Sequence, residues 1–164
     1  MGAHAAGTGL RSHRRRGAVA LITGLGVAAA FAPMALAGGA TVTRGDITAF
    51  ATAAGQPITG RAQMVRTADG KTIVSVHVTG LAPNTAYPSH VHKQACADGD
   101  ADGHYRFDPV GAATPPNEIW QGFTTNAAGE GNGSTIAEGT AGATAVSVVI
   151  HAPGGAKIAC ADLS

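Results

Sequence analysis

Residues 71–79 carry the clearest pattern in this chain, a strict alternation of side chains that places three valines on one face of an extended strand. A period of two residues is typical of a strand that is buried on one side. Residues 60–67 form a second candidate strand, and the Asp69-Gly70 pair that follows it tolerates the positive φ angles of a tight turn. The pattern therefore predicts a β-hairpin.

The rest of the chain reads as short extended segments joined by Gly-rich turns, with no sustained helical period. We expect a first strand within residues 38–59, further strands at 87–92, 119–125 and 143–151, and a turn over 126–134. Residues 93–116 show no periodicity and predict a long irregular loop, which in compact domains is usually functional. Short strands with Gly-rich turns favour an all-β fold, an antiparallel sandwich or barrel.

The N-terminus predicts an export signal. Four arginines precede an apolar run over residues 18–37, which ends in Ala-Leu-Ala, so we expect cleavage between Ala37 and Gly38. A retained membrane anchor is the alternative, since about 20 apolar residues can span a bilayer. Pro33 and two glycines weaken the run as a permanent helix, so no membrane span is expected after cleavage. Both the general secretory and the twin-arginine route remain open.

These boundaries divide the chain into a cleaved signal (1–37), a segment that is either a tether or the start of the first strand (38–59) and a β domain (60–164). Four of the 11 basic residues and none of the 10 acidic ones lie in the signal, which leaves a net charge of −3. No basic stripe with interleaved aromatic residues remains, so nucleic acid is not an expected partner.

Cys96 and Cys160 are the two cysteines of the chain. An exported protein meets oxidising conditions in which thiols pair, so we expect a disulfide between them. Two free or metal-bound thiols are the alternative.

His90 and His92 lie two residues apart, so in an extended strand both imidazoles reach the same face while Val91 points the other way. Such a pair suits a metal ion, although on its own it is a weak signal. His77 lies opposite the valines of its strand and has no neighbouring ligand, so it is left out of the site.

His104 and His151 complete a set of four. His104 follows the loop that carries Cys96, and His151 shortly precedes Cys160, so the expected disulfide would draw the two segments together. Imidazole suits copper or zinc, and four imidazoles without a carboxylate or thiolate are consistent with Cu(II). Backbone carbonyls or the carboxylates of Asp108 and Glu118 are candidates for fixing the imidazole tautomers.

Several motifs, taken in order, resemble the copper/zinc superoxide dismutase family. They are Val76-His77-Val78-Thr79-Gly80-Leu81-Ala82-Pro83, His90-Val91-His92, Cys96, Gly103-His104-Tyr105-Arg106-Phe107-Asp108-Pro109, Val148-Val149-Ile150-His151-Ala152 and Lys157-Ile158-Ala159-Cys160. The resemblance covers residues 60–164. It implies an antiparallel Greek-key sandwich or barrel with long irregular loops, in which the two cysteines match the family disulfide.

The resemblance also implies a role for single residues. His90 and His92 take the places of the first two copper ligands. His104 takes the place of the histidine that bridges copper and zinc, and His151 that of the last copper ligand. Lys157 takes the place of the active-site arginine that steers and holds the anion.

Two departures from the family matter. The chain has no histidine between His104 and His151, so the further zinc ligands are missing. The chain therefore resembles a copper-only branch, with one copper ion, no zinc, and Glu118 as the candidate acidic partner of His104. Lys157 keeps the charge of arginine but lacks its planar two-pronged hydrogen bonding.

The implied activity is the conversion of superoxide to O₂ and hydrogen peroxide. His104 would either move and deliver a proton or leave that role to water, while Lys157 would attract the anion. The alternative is a non-catalytic copper-binding or copper-delivery protein with the same fold. The sequence predicts no oligomeric state.

Overall fold

The computed structural model describes residues 39–164, so the predicted signal lies outside the described residues. The fold is all-β, as predicted. The strands within the described range are β1 (Thr41–Ala49), β2 (Thr59–Arg66), β3 (Thr72–Thr79), β4 (Ala86–Tyr87), β5 (Ser89–His92), β6 (Phe123–Thr124), β7 (Gly131–Ala137), β8 (Ser147–His151) and β9 (Lys157–Asp162). A single 3-10 turn, Ala51–Ala53, is the helical element of this range.

Seven strands form one antiparallel sheet in the order β5-β8-β9-β1-β2-β3-β7, and β4 pairs with β6 in a separate two-stranded sheet. The predicted hairpin is β2–β3, with Gly70 at φ 86° in its turn. β1 lies inside the sheet between β2 and β9, so residues 41–49 are an ordered strand and not a tether.

The core lies on one face of this sheet. Val74, Val76 and Val78 of β3 are buried, as the alternation predicts, and they share one apolar cluster with Val91 of β5 and Val148 of β8. Because β3 and β5 lie towards opposite ends of the strand order, the sheet must curl around this common core.

Two segment predictions need correction. The sequence predicts a turn over residues 126–134, but Gly131 begins β7, which pairs with β3 at every residue from Gly131 to Ala137. In the predicted strand 119–125, only Phe123 and Thr124 form ladder pairs, while Trp120 makes an isolated bridge to His90. The hydrophobic pattern also predicts no strand at the position of β9.

The long loop that begins at Lys93 is fastened to β9. Cys96 and Cys160 form a disulfide with an S–S distance of 2.02 Å, and the Cys96 N–H donates to Asp162 Oδ1 at 2.7 Å. Ala101, further along the loop, is fully buried in a small cluster with Phe50, Val149 and Cys160. Closing a loop of 64 residues stabilises the fold by about 4 kcal/mol in the chain-entropy model. Within the described range, no helix is long and apolar enough to cross a bilayer.

Candidate metal centre

Four histidines from three parts of the fold meet at one point. His90 and His92 come from β5, His151 from the end of β8, and His104 from the long loop, and one ring nitrogen of each lies within 4.8 Å of the others. His92 and His151 are buried, whereas His90 and His104 are partly exposed. The structure thus brings together all four histidines that the sequence analysis selected.

Strand pairing explains this convergence. β5 and β8 are antiparallel neighbours, so the two histidines of β5 lie beside the strand that ends in His151. The register shifts between Ile150 and His151, and such bulges re-aim a side chain. His104 is brought alongside β5 by an isolated bridge to His92.

The four rings form a flattened arrangement. Ring-centroid distances between neighbours run from 4.3 Å for His90–His104 to 5.6 Å for His92–His151. The two diagonals, His90–His92 and His104–His151, are longer, at 6.3 and 6.1 Å. A regular tetrahedron would make all six distances equal, so these centroids lie between a tetrahedron and a square.

The hydrogen bonds of the rings show which nitrogens face inwards. Nδ1 of His92 donates to the Ala101 carbonyl at 2.6 Å, and Nδ1 of His151 donates to the Gly155 carbonyl at 3.0 Å. A carbonyl oxygen only accepts, so each Nδ1 carries the proton and each Nε2 keeps a free lone pair. Those two Nε2 atoms and Nδ1 of His90 are buried without a hydrogen-bond partner. Buried polar atoms are rarely left unpaired, so a metal ion fits this site.

Glu118 completes the surroundings of His104. Its side chain is 1% exposed, and its Oε2 accepts from His104 Nδ1 at 2.7 Å and from Trp120 Nε1 at 2.8 Å. Its Oε1 accepts from Arg106 Nε at 3.1 Å. Burial alone would raise the pKa of Glu118, but the hydrogen bonds from these three residues outweigh it and hold the pKa below its ordinary value. The site thus contains a buried carboxylate anion.

Three of the imidazoles, those of His90, His92 and His151, are held neutral. Burial lowers the pKa of His90 to about 4, helped by the charges of His104 and His151. Burial lowers the pKa of His92 to about 3, although the bond to Ala101 opposes the shift. Burial also lowers the pKa of His151. Neutral imidazole is the form that binds a metal, so these ligands are ready near pH 7.

The other predicted site residues lie as follows. Lys157 pairs with His151 across β8 and β9, and its Nζ donates to the Asp100 carbonyl at 2.8 Å. The carboxylate of Asp108 is exposed and accepts from the Val110 N–H, so it does not take the position beside a histidine that the sequence analysis allowed it. His77 lies on an exposed strand position and contacts Asn132.

Sequence reasoning did not single out four partners of the site, namely Ala101, Arg106, Trp120 and Gly155. The Trp120 ring lies 5.0 Å from that of His90, and 40% of the residue is exposed. Arg106 is two residues after His104, and Trp120 is two residues after Glu118. A spacing of two residues also identified His90 and His92, so it could have indicated that Arg106 and Trp120 lie on the same side as His104 and Glu118.

No protein-family model matches this chain, and no curated protein matches it either. The function is therefore inferred from the geometry and chemistry of the site.

Proposed function

We propose that this chain is an exported superoxide dismutase that uses one copper ion, with a fold and site like those of the copper-only branch of the copper/zinc superoxide dismutases. The observation that carries the proposal is the set of four converging imidazoles, three of which aim a buried, unpaired nitrogen at the common point. His90, His92, His104 and His151 would hold the ion.

The arrangement of the rings supports copper over zinc. Structural zinc sites are almost always tetrahedral, whereas Cu(II) prefers tetragonal coordination by nitrogen. The longer diagonals of the histidine set favour the second geometry. Nδ1 of His104, the atom that would have to bridge to a second ion, is already bonded to Glu118. This bond supports a site for a single metal.

When bound, copper supplies the two oxidation states needed to oxidise one superoxide to O₂ and to reduce another to peroxide. The chain's own residues would bind the anion and move its protons. The side chain of His104 is 30% exposed, so solvent reaches it. Glu118 keeps the proton of His104 on Nδ1, so Nε2 is the atom that would hold the ion. Whenever this atom is released from the ion, it would take up a proton and pass it to peroxide, and the second proton would come from water. Lys157 supplies positive charge beside His151.

Export is part of the same proposal. The Cys96–Cys160 disulfide supports it, because disulfides persist in oxidising compartments and are rare in the cytosol.

The test is metal analysis of the protein purified without its signal and reconstituted with copper and zinc together, alongside direct measurement of superoxide decay. We expect one copper per chain, no zinc and rapid decay. One copper without decay would favour a copper-binding or copper-delivery protein, and bound zinc would contradict the single-metal proposal.

Two variants separate binding from turnover. His92→Gln should lose copper, because it removes a buried ligand. Lys157→Gln should keep copper but slow superoxide decay about tenfold, since local positive charge concentrates anions. Lys71→Gln is the matched control, because Lys71 is ion-paired with Glu138 on the surface. Loss of copper in Lys157→Gln, or unchanged decay, would contradict the role of Lys157.

A further inference from the structure

A cavity of about 430 Å³ opens beside His104, with Lys93, Arg106 and Thr144 among its lining residues. Two of the lining residues, Lys93 and Arg106, are cations. The described residues that line the cavity include no carboxylate. Lys157 is not among the described lining residues, so this cavity is separate from the predicted anion-steering position.

The Lys93 side chain lies against the glycine that precedes His104. Gly103 has a φ of +71°, and a Cβ built on it would lie 2.4 Å from Lys93 Cε and 3.0 Å from Nζ. The stem of Lys93 therefore packs into the space that this glycine leaves open. Between residues 39 and 164, no carboxylate lies within ion-pair distance of the Lys93 ammonium.

The Arg106 guanidinium has N–H donors that make no hydrogen bond within the described residues. Its Nε donates to Glu118, and in the described part of the chain neither of its Nη atoms makes a hydrogen bond. A guanidinium carries five N–H donors in a planar fork that matches an oxyanion. Several other cations of the described residues are already paired. Arg61 and Lys71 are paired with carboxylates, and Arg66 donates to backbone carbonyls.

We propose that this cavity is a binding site for a small oxyanion, a carboxylate or a phosphate, held between the Lys93 ammonium and the outer edge of the Arg106 guanidinium. Its position beside His104 places the bound anion next to the metal centre without contact with Lys157. Because the binding groups are not metal ligands, the site does not depend on copper or on the proposed activity.

The experiment is an NMR titration of the metal-free protein with sodium phosphate and, separately, with sodium acetate at constant ionic strength. We expect saturable shifts of the Lys93 and Arg106 side-chain signals. Saturation by phosphate alone or by acetate alone would identify the class of oxyanion that is bound. Absence of saturation with both anions would overturn the proposal.

Lys93→Gln tests the assignment of the site. A hydrogen bond to a charged group contributes about 1.5–3 kcal/mol, which corresponds to a loss of about tenfold or more in affinity. Lys71→Gln, which removes an ammonium elsewhere on the surface, should leave the affinity unchanged. Lys93 is exposed, so we expect Lys93→Gln to fold, and its backbone spectrum checks this. Equal affinity in the two variants would overturn the proposal, because it would show a general charge effect.

Discussion

At the scale of single residues, Glu118 links the metal centre to its surroundings. It is almost fully buried and accepts hydrogen bonds from His104, Arg106 and Trp120. Glu118→Gln keeps the size of the side chain but removes its charge, and the amide nitrogen cannot accept from these donors. We expect copper affinity to fall by about 10–100-fold, as for other changes behind metal-binding histidines.

Competition with a chromophoric chelator measures that affinity. Glu138→Gln is the matched control, because Glu138 is exposed and its carboxylate is bonded to Lys71 and not to a histidine. Equal copper affinity in Glu118→Gln and the wild type would show that the carboxylate does not support the site.

The lowered pKa values of His90 and His92 predict how the metal-free protein responds to acid. Below about pH 6.5 the unfolded chain binds protons on these imidazoles, but the folded protein does so only near pH 4 for His90 and near pH 3 for His92. Stability is therefore fully present above pH 6.5 and falls as the pH falls towards 4, because each unit of pKa difference corresponds to about 1.4 kcal/mol.

Urea denaturation at pH 7.5 and pH 4.5 measures this loss. His90→Gln should show a weaker dependence on pH than the wild type, whereas His77→Gln, at an exposed position, should behave like the wild type. Equal free energies of unfolding at the two pH values would contradict the explanation.

Part of the site could be predicted from the sequence, because it depends on local strand geometry. His90 and His92 lie two residues apart, and the period of a strand alone places both side chains on one face. The bond between His104 and Glu118 joins residues 14 apart in an irregular loop, so strand period could not predict it, and Glu118 was the candidate partner through the family resemblance alone. Asp108 was equally plausible by composition, but its carboxylate caps the turn at Val110.

At the scale of elements, β7 shows where sequence patterns fail. Its sequence, Gly-Asn-Gly-Ser-Thr-Ile-Ala, has little β propensity, and tertiary packing overrides that preference. Gly131 faces the Phe123 ring, and Gly133 faces the Gln121 carbonyl. The glycines that suggested a turn are therefore present because other segments cross the strand closely. In β3, intrinsic β propensity and tertiary packing agree. The alternation of its valines with other residues was therefore enough to predict its buried face.

Gly133→Ala tests this explanation. A Cβ at this position would lie 2.0 Å from the Gln121 oxygen, so the two backbone segments would have to separate. We expect the free energy of unfolding to fall by about 2 kcal/mol, the size of an overpacking defect. Gly154→Ala is the control, because a Cβ there meets nothing within 4 Å. Urea denaturation measures the free energy of unfolding of both variants. An unchanged value in Gly133→Ala would mean that β7 and the segment at Gln121 can separate at no cost, which would contradict the explanation.

At the scale of the whole molecule, the curled sheet and the loop fastened to it produce the site together. The sheet supplies three histidines in adjacent strands, and the loop supplies His104 and the Ala101 carbonyl that orients His92. The Cys96–Cys160 disulfide joins the loop to β9. This long-range closure could be expected from the two cysteines, but the curl of the sheet could not, because it depends on packing across the core.

The charge of the whole domain makes the dependence of the proposed activity on salt a sharp test. Residues 38–164 carry a net charge of −3, which repels superoxide, whereas Lys157 provides positive charge beside His151. Charges are screened over about 10 Å at 0.1 M salt. If Lys157 dominates the approach of the anion, superoxide decay should slow as ionic strength rises, and Lys157→Gln should flatten or reverse this slope. Lys71→Gln should leave the slope unchanged. Decay by the wild type that accelerates with salt would mean that the net charge controls access, and it would remove Lys157 from the mechanism.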